Sequence, residues 1–187
     1  MKNQIIVIEG PSAAGKDTTI NDLIRFDKNK FARIISLSTR PMRDYEKQGD
    51  PYYFVSDTEF DNMVKSGDIF EWTSRHGTKR GMSEKYIKQI FDDGKIALKD
   101  CDIIGVKALK SKFENVLTFF ITVPKAETER RMRKRGDKEE DIKERLKNYE
   151  THLEQSKHYD YIFENMNQKE TVDKIIKIIY NDNYGKK

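Results

Sequence analysis

Long apolar runs are missing from the sequence. The longest, Val116–Val123 (VLTFFITV), is far shorter than the roughly 20 residues that a membrane-spanning helix needs. The amino-terminal stretch MKNQIIVIEGPS has only four consecutive apolar residues before Glu9, too few for the core of a signal peptide. We therefore expect a cytoplasmic protein with no membrane partner.

Cysteine and a strong excess of charge of one sign are also missing. Cys101 is the only cysteine among 187 residues, which excludes an intramolecular disulfide and is typical of a reducing compartment. The net charge is only +4, and basic residues interleave with acidic ones. A one-sided basic stripe is therefore absent, so nucleic acid is not an expected partner, whereas a small anionic ligand is. The sequence does not indicate an oligomeric state.

What the sequence does contain is an alternation of strand-like and helix-like segments, in a length that suits one domain. The predicted strands are Ile5–Ile8, Ala32–Leu37, Tyr52–Val55, Ile69–Trp72, Lys95–Lys99, Val116–Val123 and Tyr161–Phe163. The predicted helices are Thr18–Phe26, one from Ser56 to Gly67 with capping-box spacing, one from Ser83 to Gly94, Val106–Leu109, Ala126–Arg135, one long charged helix carrying Ile142, Leu146, Tyr149 and Leu153, and Thr171–Tyr180. This order predicts an α/β fold whose parallel sheet is covered by helices on both faces. The short aromatic strands within residues 36–94 predict an inserted lobe.

The stretch GPSAAGKDT at residues 10–18 has the spacing of a phosphate-binding loop, G-x-x-x-x-G-K. It follows a predicted strand and opens a predicted helix, as that loop requires. Backbone N–H groups there favour a phosphate chain, and Lys16 would contact its β- and γ-phosphates. The predicted ATP-binding residues of the loop are Gly10, Ser12, Ala13, Ala14, Gly15, Lys16, Asp17 and Thr18.

Asp17 stands where the loop pattern has a hydroxyl that ligates magnesium. Its carboxylate could stabilise the first turn of the helix through the helix dipole. It could instead ligate magnesium, directly or through water, because carboxylate oxygens suit that cation. A third interpretation is a damaged loop, in which the anion repels the triphosphate. Thr18 still offers a hydroxyl one residue later.

Five further stretches narrow the class of nucleotide-binding protein. They are SLSTRPMR at 36–43, GDPYYFVS at 49–56, FEW at 70–72, KDCD at 99–102 and RMRKRG at 131–136. In order and approximate spacing, they resemble the guanylate kinase family over nearly the whole chain. The resemblance implies a P-loop NTPase three-layer fold with a core of residues 1–35, 95–125 and 158–187, a nucleoside monophosphate-binding lobe at 36–94 and a helical lid at 126–157. It also implies the reaction ATP + GMP (or dGMP) ⇌ ADP + GDP (or dGDP), with Mg²⁺.

The acceptor, meaning the nucleotide that receives the phosphoryl group, has its own candidate residues. Arg40 and Arg43 lie three apart in a turn with proline, so two guanidinium groups could grip one phosphate, or both could be solvated loop residues. A carboxylate at Glu71 could accept from N1–H and N2–H of guanine, or be an ordinary strand-end residue. The resemblance implies an acceptor site formed by Ser36, Arg40, Arg43, Tyr52, Glu71, Arg80, Asp102 and Arg145.

The resemblance also implies roles on the donor side. Asp100 would organise magnesium, while Arg131 and Arg135 of the lid would close on ATP, and Asn165 would lie on the adenine side. From spacing alone the two arginines could equally form a solvated basic face, and Asp100 could be a turn residue. The expected catalytic residues are Lys16, Arg40, Asp100 and Arg131, and the expected metal ligands are Asp17 and Asp100.

Several residues depart from the family pattern. Arg80 replaces a tyrosine that normally donates to the acceptor phosphate, Met82 replaces a hydroxyl residue that touches the base, and Ile104 replaces a glutamine. These changes leave two alternatives open beside the guanylate kinase reading. One is a related kinase of another phosphorylated acceptor, such as an unusual nucleotide or a ribose phosphate. The other is a non-catalytic binding module.

Overall fold

The computed structural model of the chain describes residues 3–75 and 77–180. Residues 1–2 and 181–187, which the sequence assigns to the predicted core, lie outside the described part. The strands are β1 Ile5–Glu9, β2 Phe31–Arg33, β3 Leu37–Ser38, β4 Tyr53–Phe54, β5 Ile69–Arg75, β6 Thr78–Ser83, β7 Ile96–Lys99, β8 Val116–Thr122 and β9 Tyr161–Glu164. The helices are α1 Lys16–Phe26, α2 Asp57–Lys65, α3 Glu84–Asp92, α4 Ile103–Lys112, α5 Lys125–Arg135, α6 Glu139–Lys147, α7 Tyr149–Glu154 and α8 Gln168–Tyr180, with a 3₁₀ turn at Gln155–His158.

The centre of the molecule is a five-stranded parallel sheet in the order β2-β7-β1-β8-β9. Its strands are buried on both faces, as the continuous apolar runs predict. On β1, Ile6 and Ile8 pack in a cluster with α1 and α8, while Ile5 and Val7 pack in a second cluster with α3 and α4. Because alternate side chains of a strand point to opposite faces, these two clusters form the two sides of one layered core. The predicted three-layer α/β fold is confirmed.

A second, mixed sheet contains β4-β3-β6-β5, with β3 and β4 parallel and the other pairs antiparallel. It has a small apolar cluster of its own around Leu37, Phe60 and Ile69. The predicted capping box is present, since Ser56 and Glu59 exchange hydrogen bonds at the start of α2. Met82 of β6 packs into the main core, which joins the two sheets. The boundaries assigned to core, lobe and lid stay predictions.

Two predicted elements differ from the structure, and one strand of the structure was not predicted. The single strand Ala32–Leu37 was wrong, because β2 belongs to the main sheet and β3 to the second one. An apolar run reports burial but not the sheet in which a side chain is buried, and Ile34 and Leu37 lie in different clusters. Strand β6 has no prediction, since its sequence TKRGMS is mostly polar.

The predicted long helix through Ile142 and Leu153 was also wrong, since it is broken at Asn148 into α6 and α7. Tyr149 fixes the start of α7, because its hydroxyl donates to the carbonyl of Val123 at 2.6 Å. That tertiary contact is invisible in the helical spacing.

Candidate active site

The loop between β1 and α1 needs glycine at both of its glycine positions. At Gly10, φ is +153°, and an added Cβ would lie 1.8 Å from the carbonyl oxygen of Ile121. At Gly15, φ is +100°, and an added Cβ would lie 2.6 Å from Nδ2 of Asn165. Side chains avoid such backbone conformations and contacts, so the spacing of the two glycines reflects the shape of the loop itself.

Lys16 lies folded over this loop. Its Nζ donates to the carbonyls of Gly10 at 2.5 Å and Pro11 at 3.1 Å. The ammonium therefore stands where the loop backbone would surround a phosphate, and carbonyl oxygens hold it there. A phosphate chain would offer it stronger, charged acceptors.

A cavity of about 370 Å³ opens over the loop. Its walls are Ser12, Ala13, Gly15, Lys16, Asp17, Thr18, Arg131, Arg135 and Arg145. Of the other predicted ATP-binding residues, Ala14 is buried beneath the loop. Asn165 is buried too, and its Nδ2 donates to the carbonyl of Ala14 at 2.7 Å. Asn165 thus supports the loop from below in this conformation, and its contact with adenine stays a prediction.

Arg131 of α5 lies against the loop. It donates to the carbonyls of Asn165 at 3.0 Å and Ala13 at 3.4 Å, while its Nε donates to Glu127 at 2.7 Å. Glu127 therefore holds the guanidinium in one orientation over the cavity. The Arg130 and Arg131 guanidinium groups keep the pKa of Glu127 down to about 2, so this carboxylate is ionised at neutral pH.

Arg135 and Arg145 complete the basic wall of the cavity. Arg135 is paired with Asp137 through Nε at 2.7 Å, and Arg145 donates to Oγ of Ser12 at 2.8 Å. Arg145 therefore lies at the phosphate loop rather than among the walls of the acceptor cavity described below. Its predicted role toward the acceptor is not supported by a contact in this conformation and stays a prediction.

Asp17 has a partner that spacing could not indicate. One nitrogen of Arg33, at the end of β2, lies 2.6 Å from Oδ1 of Asp17 and 3.9 Å from Oδ1 of Asp100. The two candidate metal ligands thus converge on one positive charge beside the loop. Within residues 3–75 and 77–180, three or more His, Cys, Asp and Glu side chains nowhere cluster closely enough to hold a metal ion.

A second cavity, of about 210 Å³, lies between the second sheet and the start of α4. Its walls are Ser36, Glu71, Thr73, Arg80, Gly81, Met82, Lys99, Asp100, Cys101, Asp102 and Gly105. Burial raises the pKa of Glu71, and the charge of Asp102 raises it further. Two carboxylates therefore face one small cavity, as expected for a site that reads hydrogen-bond donors.

Asp102 also has a structural role. Its Oδ1 accepts from the backbone N–H groups of Ile104 and Gly105, both at 3.0 Å, and so caps the amino terminus of α4. Among the described residues, both of these hydrogen bonds go to Oδ1, and Oδ2 has no hydrogen-bond partner. Ile104, at the position where the family has a glutamine, is 66% exposed and packs into neither cavity.

Of the two arginines predicted to grip the acceptor phosphate, only Arg40 lies at the ring of Tyr52, where Arg80 joins it. Arg40 stacks on Tyr52 with 5.6 Å from Cζ to the ring centroid, and Arg80 stacks on the same ring at 4.9 Å. Both terminal nitrogens of Arg40 donate to Glu46, at 2.5 and 2.8 Å, and this pairing lowers the pKa of Glu46 to about 2. Arg43 turns away to the hydroxyl of Tyr45 at 2.6 Å.

The spacing of the sequence missed three charged residues, and they share one signal. Glu9, Arg33 and Lys99 each end a strand of the main parallel sheet. Ligands of α/β proteins bind outside the carboxyl ends of such strands, so a charged residue directly after an apolar run is the signal that predicts a site residue. Glu9 is buried, and its Oε1 lies 2.9 Å from Nε2 of His152 on α7. This contact ties α7 to the strand that leads into the phosphate loop.

The fold and this site define the class of the protein. A glycine-rich loop joins a central strand of a parallel sheet to a helix, and a lysine and three arginines surround its cavity. That is the arrangement of a P-loop phosphotransferase.

Comparisons with known proteins narrow the class to one family. The sequence model described as "Guanylate kinase" matches residues 2–182. A guanylate kinase of Prochlorococcus marinus is 37% identical over 183 residues, which covers 96% of this chain and 99% of the relative. One from Thermotoga maritima is 34% identical over 182 residues, covering 96% and 87%. The crystal structure of guanylate kinase from Anaplasma phagocytophilum superposes with a TM-score of 0.65 at 27% identity, covering 94% and 84%.

The chain belongs to the guanylate kinase family. It is accordingly a nucleoside monophosphate kinase, a phosphotransferase. In the part of the chain that the structure describes, we find no helix that is both long and apolar enough to span a membrane.

Proposed function

We propose that the chain transfers the γ-phosphoryl group of ATP to GMP or dGMP in the cytoplasm, with Mg²⁺. The observation that carries the proposal is the presence of two polar cavities, one around the phosphate loop and Lys16 and one around Glu71 and Asp102. Family membership supports the same reaction. The lone cysteine supports a reducing compartment.

In this proposal each side chain acts by position and charge. Lys16 binds the β- and γ-phosphates of ATP, while Arg131 and Arg135 neutralise charge that spreads over the phosphoryl group in flight. Arg40 and Arg80 bind the acceptor phosphate beside Tyr52, Arg43 turns from Tyr45 to join them, and Glu71 and Asp102 accept from the donors of guanine. In-line transfer needs little else from the protein, because the reaction depends on positioning and charge neutralisation.

Asp17 and Asp100 are the residues that would hold Mg²⁺. They fit the ion, because both carboxylates already converge on one cationic nitrogen of Arg33. Magnesium in kinases takes one or two carboxylates and completes its shell with water and substrate phosphates, so a larger protein cage is not required. When bound, the ion would screen the charge of the phosphate chain.

A coupled assay with GMP, dGMP, AMP, CMP, UMP and ribose phosphates tests the proposal. We expect turnover with guanine nucleotides above all others. We also expect Lys16→Ala to lose about 100-fold or more of the rate with an unchanged circular dichroism spectrum, as when one charge-stabilising donor is removed. Lys28→Ala, at an exposed position in the turn after α1 and outside the phosphate loop, is the matched control. The assignment fails if guanine nucleotides give no turnover.

A further inference from the structure

Lys99 is a charged residue in the acceptor cavity to which the proposed phosphoryl transfer assigns no role. It ends β7 after the apolar residues Ile96, Ala97 and Leu98 and lines the cavity beside Glu71 and Asp102. Its Nζ donates to Oγ of Ser36 at 2.7 Å and reaches the carbonyl of Ile34 at 3.4 Å.

The ammonium of Lys99 is held without a tight ion pair. Ion pairs elsewhere in the molecule join a carboxylate oxygen and a nitrogen at 4.0 Å or less. Within the described residues, the Nζ of Lys99 has no such partner. Burial lowers the pKa of Lys99, and the nearby charges of Asp100 and Glu71 act against that shift. An ammonium has three donors, and Ser36 and Ile34 account for two of them. Among the described residues, these two are the hydrogen-bond partners of the ammonium.

The walls of the cavity therefore carry two carboxylates that can accept hydrogen bonds and one ammonium that can donate. The Watson–Crick edge of guanine presents the complementary order: the acceptor O6, then the donors N1–H and N2–H. Glu71 and Asp102 match the two donors, and no residue of the sequence analysis matched O6. Met82 cannot do so, since a thioether has no donor and its side chain packs in the main core.

We propose that Lys99 is a specificity-determining residue that donates a hydrogen bond to O6 of the acceptor's guanine base. The proposal rests on the proposed reaction with GMP and adds the third contact to the base. Adenine carries an amino group at the position of O6, so it would place a donor against the ammonium. Such a mismatch leaves buried polar groups unpaired and rejects the wrong base by repulsion as well as by a lost contact.

A purine altered at one atom isolates this contact. In 6-thio-GMP the oxygen O6 is replaced by sulfur, a weak acceptor, while N1–H and N2–H remain. We measure the affinities of GMP and 6-thio-GMP by calorimetry for the wild type, for Lys99→Met and for Lys107→Met. Lys107 is exposed on α4, so the same substitution there is the matched control.

For the wild type and for Lys107→Met, we expect GMP to bind about 10- to 100-fold more tightly than 6-thio-GMP, the range of a hydrogen bond to a charged group. For Lys99→Met, we expect the two nucleotides to bind within about threefold of each other, with ATP affinity unchanged. A lysine that only supported Ser36 and Ile34 would weaken both nucleotides equally and leave their ratio intact.

The outcomes separate this inference from the proposed function. If the wild type phosphorylates GMP and Lys99→Met keeps the wild-type ratio of affinities, the role of Lys99 is overturned and the reaction stands. If Lys99→Met does not fold, the wild type alone still decides, since equal affinity for GMP and 6-thio-GMP overturns the contact. Absence of any GMP binding or turnover by the wild type overturns the proposed function itself.

Discussion

Asp17 is an anion placed beside the site of a phosphate chain, and Arg33 on the neighbouring strand β2 balances its charge. The carboxylate is 73% exposed, so it can leave Arg33 for another cation at little cost. Neither residue is needed by the fold of the loop, whose shape depends on Gly10 and Gly15. A damaged loop is therefore the interpretation that the surroundings support least.

Replacing Asp17 by Asn should separate a metal role from a helix-dipole role. We expect the Mg²⁺ concentration for half-maximal activity to rise about tenfold, since loss of a ligand charge worth about 1.4 kcal/mol has that effect. Without Mg²⁺, the variant should bind ATP more tightly than the wild type, because an anion beside the triphosphate is gone. Calorimetry with and without chelator measures both, with Asp173→Asn on α8 as the control. Unchanged magnesium dependence would leave only the dipole role.

Glu71 should make acceptor binding depend on pH in a defined direction. Burial and Asp102 raise its pKa above the ordinary value, so the carboxyl becomes neutral at a higher pH than usual. A neutral carboxyl cannot accept from both N1–H and N2–H of guanine. The affinity for GMP should therefore fall as the pH is lowered through that raised pKa.

The stability of the free protein should depend on pH in the opposite direction to the affinity for GMP. The folded state binds the proton of Glu71 more tightly than the unfolded state, so stability falls as pH rises from the ordinary pKa of a glutamate to the raised one. Glu71→Gln is the control, because it shares the titration of the GMP phosphate near about pH 6 but lacks the carboxyl. GMP affinity is measured against pH for both proteins. Parallel pH profiles of GMP affinity for the wild type and Glu71→Gln would contradict the prediction.

At the scale of elements, the candidate site depends on how three segments are held at the carboxyl edge of the main sheet. The loop is supported from below by Asn165, α4 is capped by Asp102, and α7 is fastened by Tyr149 and His152. Each contact joins residues that are distant in sequence or belong to different elements, except the local cap. The sequence predicted the cap of α2 at Ser56 but not that of α4 at Asp102.

The capping box of α2 gives an element-scale prediction that is independent of catalysis. Oγ of Ser56 accepts from the N–H of Glu59 at 3.2 Å, and Oε2 of Glu59 accepts from the N–H of Ser56 at 2.8 Å. Ser56→Ala should lower the free energy of unfolding by about 1 kcal/mol, the usual cost of removing such a cap. Urea denaturation measures this, with Ser111→Ala as the control, because that hydroxyl donates only to a carbonyl within its own helix. Equal midpoints for the two variants would count against the cap.

At the scale of the whole molecule, residues of the main core connect the walls of the two cavities. Met82 of the second sheet packs among residues of β1 and β7, while Lys99 and Asp100 follow β7 into the acceptor cavity. The donor and acceptor nucleotides would therefore bind to one connected body with separate polar walls. Each nucleotide should stabilise the fold by itself.

Thermal unfolding tests this independence. At about 100 times its dissociation constant, a ligand adds about 2.7 kcal/mol of stability, which raises Tm by about 5–10 °C in a chain of this size. We expect GMP alone and ATP with Mg²⁺ alone each to give such a shift. Lys16→Ala should lose the ATP shift and keep the GMP shift. Loss of both shifts in that variant would mean that the two sites are not independent.

The sequence by itself determined the elements whose signals are local. The phosphate loop, the capping box of Ser56, the buried strands β1 and β8 and the amphipathic helix α8 follow from glycine spacing, cap chemistry and apolar periodicity. The order of family-like stretches also identified the kinase family and predicted the residues of the candidate site. These features depend on residues that lie near one another in the chain.

Only the tertiary structure decided which distant residues meet. It separated Ile34 from Leu37 into two sheets, broke the helix at Asn148, joined Arg33 to Asp17 and Asp100, and brought Lys99 to Ser36. Periodicity indicates that a side chain is buried but not which residues it packs against. The sequence also does not show toward which residue a charged side chain points. The packing of strand ends at one edge of the main sheet brings these charged side chains together, and their contacts determine the chemistry of the site.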